Sequence, residues 1–223
     1  MAIDFTELGE RLRAYRMGAS LTPEEVAKHL RISRAALYNY EKGGVIKLET
    51  IERLAALLQV SVPSLLGAGV EYFTNPVVYF ERKRQVEKRS EQVFVFSEPV
   101  SILLLSPNYP KHLRQMLIES GTHDGDRAAS VQQINSIISI LEERREERGK
   151  QRLHLVTVIS APQIQRFVRT GVIGTYDLPA DVLEERRRAA CIEVEHIAGL
   201  VEREPMGVQI GRASCRERVS CCV

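Results

Sequence analysis

No run of about 18 apolar residues occurs anywhere in the chain, so the sequence offers no membrane-spanning helix. The opening stretch MAIDFTELGERLRAYR is charged where a secretion signal would be greasy. The expected location is therefore the cytoplasm, with no membrane partner. Charge of one sign is also scarce: 31 Lys+Arg stand against 29 Asp+Glu, too small an excess for indiscriminate nucleic-acid binding. Any contact with DNA must come from local arrangement. The chain lacks GxSxG, a P-loop, GxGxxG, HExxH and paired CxxC, so no catalytic residue, cofactor or metal is expected. What remains, at 223 residues with 44% hydrophobic and 27% charged content, is material for one or two globular domains.

Cysteine is nearly absent from the body of the chain, because three of its four copies (Cys215, Cys221 and Cys222) crowd into the last nine residues. Their spacing is not that of a tetrahedral zinc site. The stretch Ile210-Gly211-Arg212-Ala213-Ser214-Cys215-Arg216-Glu217-Arg218-Val219 resembles one translated frame of a sequencing adapter. Residues 210–223 are accordingly read as a non-native tail, and the domain before it as incomplete. Setting the tail aside removes three Arg and one Glu and leaves 28 charges of each sign.

From Asp4 to Gly67 the pattern predicts five short helices. Phe5, Leu8, Leu12 and Tyr15 recur at helical spacing up to Gly18. Thr22 followed by Pro23, Glu24 and Glu25 is a capping box with proline at the first helical position, and Val26, Ala27 and Leu30 form the inner face of that helix. Ser33 caps a third helix ending near Glu41, where Gly43 permits a left-handed turn. Leu48, Ile51, Leu54, Ala55 and Leu58 make the stripe of a fourth. Val62, Leu65 and Leu66, behind Ser61, make a fifth.

The segment LTPEEVAKHLRISRAALYNYEKG, followed by LETIERLAALLQVSVPSLLG, resembles the XRE family of phage-repressor and Cro/C1-type helix-turn-helix regulators. The likeness rests on the small Ala27, the apolar Ile32 in the turn, the inward Leu37 and Tyr40, and Glu41-Lys42-Gly43. It implies an all-α, five-helix DNA-binding domain over residues 1–67. The chain departs from the family at Pro23, where relatives often carry a phosphate-touching Gln. Thr22 and the bare helix end are then expected to meet phosphate alone. In similar domains an arginine late in the first helix pairs with the glutamate ending the recognition helix, which here makes Arg16 and Glu41 a scaffold pair.

With Leu37 and Tyr40 inward, helical spacing puts Arg34, Ala35, Tyr38 and Asn39 on the outer face of the third helix. Arg34 can fork onto guanine, Asn39 can pair with adenine, and the Ala35 methyl can sit against a thymine methyl. Ser33, Tyr38, Lys42 and Lys47 suit phosphate oxygens. Residues 1–66 hold nine Lys+Arg and eight Asp+Glu, so a homodimer on a palindromic double-stranded operator is expected to supply the affinity.

Residues 68–76 read as a linker and 77–209 as an α/β domain for effector sensing or dimerisation, with a small molecule of unknown identity as effector. Its parts are a charged helix over PVVYFERKRQVEKRSEQ, read as a solvated face with a dimer helix as the alternative, strands at Gln92–Phe96, Val100–Leu105 and Leu153–Ile159, and helices at Tyr109–Glu119, Val131–Arg148, after Ser160 and over Pro179–Val201. Thr122–Asp126 reads as a surface turn, Cys191 as a packed small side chain, and Glu184–Arg188 as a solvated face. The whole is expected to be a transcriptional regulator and not an enzyme. The alternatives are an antitoxin-type autoregulating protein and an enzyme with an autoregulatory helix-turn-helix.

Overall fold

The computed structural model describes residues 4–69, 71–95, 101–120, 127–150, 154–171 and 177–203. The turn at Thr122–Asp126 and the tail from Ile210 lie outside them, as does the span 204–209. The chain divides into two compact units, one of Met1–Lys88 with Asn135–Ile140, the other of Arg89–Ile134 with Leu141–Val223.

The first unit begins with α1 (Phe5–Gly18), whose free N-terminal amides are met by Asp4: its Oδ1 accepts from Thr6 N at 2.9 Å and Glu7 N at 3.2 Å. Next come α2 (Pro23–Leu30), α3 (Arg34–Glu41), α4 (Leu48–Leu58) and α5 (Val62–Leu66). Thr22, Ser33 and Ser61 each cap the helix they precede. Between α2 and α3 the chain turns on Arg31, which takes a left-handed conformation (φ 56°) while Ile32 N donates to Ala27 O at 3.0 Å. Leu8, Leu12, Val26, Leu30, Leu37, Ile51, Leu54 and Leu65 are buried together, the aliphatic stripes of five helices closing one core.

One glycine sets how closely α1 and α3 cross. A Cβ placed on Gly9 would stand 2.4 Å from Tyr40 O and 2.9 Å from Glu41 C, contacts with backbone that no side-chain rotation relieves. A mid-helix glycine is unfavourable by about 1 kcal/mol relative to alanine. Here the close approach requires it.

The charged helix, α6 (Pro76–Arg89), corrects the sequence reading. Its residues Glu81, Arg82, Arg84 and Gln85 are buried, not solvated, and it belongs to the first compact unit instead of opening the second. The reason is charge complementarity with α1. Glu81 is fully buried (0% exposed) and accepts from Arg84 Nε and Nη2, each at 2.8 Å, and from Gln85 Nε2 at 2.9 Å, with Arg13 Nε 3.3 Å away. Arg82 meets Gln85 at 2.8 Å, Glu71 at 3.1 Å and Glu7 at 3.4 Å. The presumed linker takes part: Glu71 also pairs with Arg11, and Asn75 caps α6 through Oδ1 while its Nδ2 donates to Gly18 O at 2.9 Å.

In the second unit β1 (Gln92–Val95) pairs in parallel with β2 (His154–Thr157), Val93 opposite Leu155 and Val95 opposite Thr157. Parallel strands need a crossover, and α7 (Tyr109–Ser120) and α8 (Arg127–Lys150) lie between them in sequence. α9 (Ala161–Thr170) and α10 (Ala180–Arg203) follow. The α/β class thus holds, with a sparse sheet of two strands among the described residues.

Three details differ from expectation in this unit. The strand expected at Val100–Leu105 is, over Ile102–Leu104, a 3-10 turn, with Leu103, Leu104 and Leu105 all buried. Arg186 is buried against Glu119 instead of solvated. Cys191 is exposed and free, not packed. The buried Glu193 accepts from Ser106 N and Oγ, each at 2.6 Å, tying α10 to the segment after the 3-10 turn.

Two outcomes follow from the first unit. Gly9→Ala, despite improving helix propensity, is expected to lower stability by about 1 to 3 kcal/mol in a thermal melt; a raised melting temperature would refute the close crossing. Glu71 carries the second. Burial opposes its charge, but the hydrogen bonds and charges of Arg82 and Arg11 outweigh it and hold the carboxyl below its ordinary 4.5. A depressed folded-state value stabilises above the unfolded value and is lost as pH falls through the folded one. The melting temperature should therefore drop between about pH 5 and about pH 3, and drop less in Glu71→Gln. Equal drops would exclude Glu71 as a contributor.

Candidate nucleic-acid interface

The third helix has one side committed to the core and one left open. Leu37 is 0% exposed and Tyr40 packs partly buried beside it, while Arg34, Ala35, Tyr38 and Asn39 are exposed. The open side carries a guanidinium, a methyl, a phenol and an amide, the set of groups that can meet base edges and phosphates in a groove.

Each candidate has a definite local setting. Arg34 Nη1 lies 2.8 Å from Glu24 Oε1, both side chains largely exposed. Ser33 Oγ accepts from Ala36 N at 3.0 Å, which leaves its hydroxyl proton to donate outward. Lys42 Nζ sits 4.5 Å from the centre of the Tyr38 ring, a cation over an aromatic face on the exposed edge. Asn39 lies against Gly44: a Cβ there would come within 2.2 Å of Asn39 Nδ2, so the glycine leaves the amide its place. Lys47 precedes α4 with no side-chain cap bond of its own and is exposed.

Thr22 forms the capping box that the sequence predicts. Its Oγ1 accepts from Glu25 N at 3.2 Å and donates to Glu25 Oε2 at 2.8 Å, and the same carboxylate oxygen accepts from Thr22 N at 2.7 Å. The end of α2 is therefore not bare. The Thr22 backbone and side-chain hydrogen bonds hold the Glu25 carboxyl below its ordinary range, and that carboxylate stands in the first turn of α2.

Arg16 and Glu41 form a two-bond pair. Arg16 Nε donates to Glu41 Oε1 at 2.6 Å and Nη2 to Oε2 at 3.2 Å, while Nη1 donates to Leu21 O at 3.0 Å. Both side chains are about nine-tenths buried, 11% and 8% exposed. One guanidinium thus joins the last residue of α3 to the loop that starts α2.

The basic residues divide by location. Arg11, Arg13 and Arg16 of α1 face carboxylates within the unit, and Arg53 Nη2 donates to Leu30 O at 2.8 Å. Lys28, Arg31, Arg34, Lys42 and Lys47, from α2 to the start of α4, are exposed. Lys28 and Arg31 were not singled out by sequence reasoning; their signal was only their position on either side of the turn. Among the described residues no group of three or more His, Cys, Asp or Glu is arranged to hold a metal, and no helix is long and apolar enough to cross a membrane.

Glu41→Ala leaves the Arg16 guanidinium buried with only Leu21 O as partner. The loss should be of the order of 3 kcal/mol, read as a lowered melting temperature of the chain. An unchanged melt would mean the pair contributes nothing.

No curated protein and no solved structure matches the chain. Residues 7–66 match the family model of a helix-turn-helix domain, and the exposed α3 seated across α2 is the arrangement by which such a domain binds DNA.

Proposed function

We propose that the protein is a sequence-specific transcriptional regulator of the XRE, Cro/C1-type class, acting in the cytoplasm as a homodimer on a palindromic double-stranded operator. The observation that carries this reading is α3, an eight-residue helix with its polar face open and its far end fastened by Arg16. Arg34, Ala35 and Asn39 read bases. Ser33, Tyr38, Lys42 and Lys47 hold phosphates, joined by Lys28 and Arg31. Thr22 acts as a helix cap, and its partner Glu25 keeps phosphate away from that end of α2.

The second unit serves dimerisation or the sensing of a small-molecule effector in this reading. No cofactor enters the proposal.

The test is selection of operator DNA from a random pool, followed by binding titrations. Two-fold symmetric half-sites about one helical turn apart are expected. Arg34→Ala and Asn39→Ala should each weaken operator binding by about 1 to 3 kcal/mol and relax choice at one base pair, while Lys47→Ala should weaken all sequences alike and flatten the salt dependence. Retention of full affinity and selectivity by both Arg34→Ala and Asn39→Ala would remove α3 as the reading element. A monomer on a half-site would remove the dimer.

A further inference from the structure

The first unit contains a cleft of about 750 Å³ that none of the groups discussed so far uses. It opens between the end of α1, the junction of α4 and α5, and the segment that leads into α6. Its volume is in the range of small-molecule sites. Tyr15 and Phe73, both partly buried, contribute aromatic surface, Tyr72 stands exposed at the rim, and no Asp, Glu, Lys, Arg or His lines it.

Three of the polar side chains in the lining bond within the protein itself. Both ends of the Asn75 amide are engaged, Nδ2 with Gly18 O and Oδ1 with Val77 N and Val78 N. Ser61 Oγ and Ser64 Oγ lie 2.8 Å apart and share one proton, so whichever donates, one hydroxyl proton is left over. Burial, then the nearby Glu71 carboxylate, push the Tyr15 phenol above its ordinary 10.0, which keeps it a neutral O–H. Glu71, Arg11 and Arg82 lie near Tyr15 but are paired with one another, so a charged guest would find no free counter-ion. A neutral ring with one polar edge would find Tyr15, Phe73 and the aliphatic Leu21, Leu57 and Val60 to pack on, and a hydroxyl donor.

The cleft also touches the clamp on the recognition helix. Leu21 lines it, and Leu21 O is the acceptor of Arg16 Nη1, whose other two nitrogens hold Glu41. A guest packed on Leu21 therefore bears on the residue that fixes the end of α3.

We propose that this cleft binds a small neutral aromatic molecule and that its occupancy is coupled to α3 through Leu21 and Arg16. The binding half stands without the proposed operator reading; the regulatory meaning of the coupling rests on it.

The experiment uses the full isotope-labelled chain, titrated with indole, phenol and benzoate and followed by amide resonances. Indole and phenol should give saturable shifts at Gly18, Leu21 and Ser61, with benzoate at least about tenfold weaker. Ser64→Trp and Thr74→Trp alter exposed side chains at the mouth, so the fold should be kept and indole binding should weaken about tenfold or more in each. Saturating indole should slow hydrogen exchange of the α3 amides Leu37 to Glu41 about fivefold or more. Absence of saturable shifts with both neutral compounds, equal binding of benzoate, or indifference to both tryptophan variants would overturn the site. Saturable shifts with unchanged α3 exchange would overturn the coupling. Neither result touches operator binding, which the Arg34 and Asn39 variants test separately.

Discussion

The Arg16 guanidinium is the constraint on which the interface depends. Isolated helices shorter than about 12 residues are marginal in water, and α3 has eight. Leu37 is its only buried residue. One aliphatic anchor fixes a helix in depth but leaves it free to pivot. The close crossing at Gly9 and the two-bond pair with Arg16 supply the missing restraints, one on the backbone and one at the helix end. Because the guanidinium also holds Leu21 O, the approach to α2 and the end of α3 are fastened by the same group. The pair is almost buried, so salt screens it far less than it screens surface charges.

That arrangement explains why net charge is such a poor guide to this domain. Nine bases against eight acids suggests indifference to DNA. In the fold, the three α1 arginines face inward carboxylates while five bases between α2 and α4 remain outward. Near-neutrality over residues 1–66 is thus the sum of three α1 arginines turned to carboxylates and an outward set in which those five bases and Arg53 stand among the exposed Glu24, Glu25, Glu49 and Glu52. In the proposed reading a phosphate would respond to the nearest of these charges and not to their sum, because interactions beyond about 10 Å are screened at ordinary salt.

The layer of α1 and α6 marks the limit of sequence reading. Caps at Thr22, Ser33 and Ser61 and the aliphatic stripes of α1 to α5 were legible, since capping and apolar periodicity are local properties. So were α9, with Ser160 and Gln163 as its capping box, and both strands. The burial of α6 was not. Val77 and Val78 are buried at its start, but the rest of its inward face is Glu81, Arg82, Arg84, Gln85 and Glu87, which any hydrophobic pattern places in water. Only knowledge that α1 presents Glu7, Glu10, Arg11 and Arg13 opposite would reverse that, and such pairing is non-local. Leu103 to Leu105 failed for a related reason: a short apolar run fits a strand or a tight turn equally well, and only tertiary burial decides. Gly9 was the one readable signal passed over, a glycine inside a helical pattern with no local role.

The Arg34–Glu24 pair bears on how the proposed reading would proceed. Its side chains are 73% and 54% exposed, so the pair contributes little, of the order of 0 to 1 kcal/mol. A bidentate contact with guanine discriminates by about 1 to 3 kcal/mol. Exchange of one partner for the other is therefore downhill at the correct base and close to neutral or unfavourable elsewhere. Glu24 also leaves a carboxylate beside the reading position when Arg34 turns away, and that charge, with Glu25 at the same helix end, opposes any docking in which α2 rather than α3 slides toward the phosphates. The two acids of the α2 cap would then act on register: they add nothing to affinity, but they make the displaced alignment worse than the correct one.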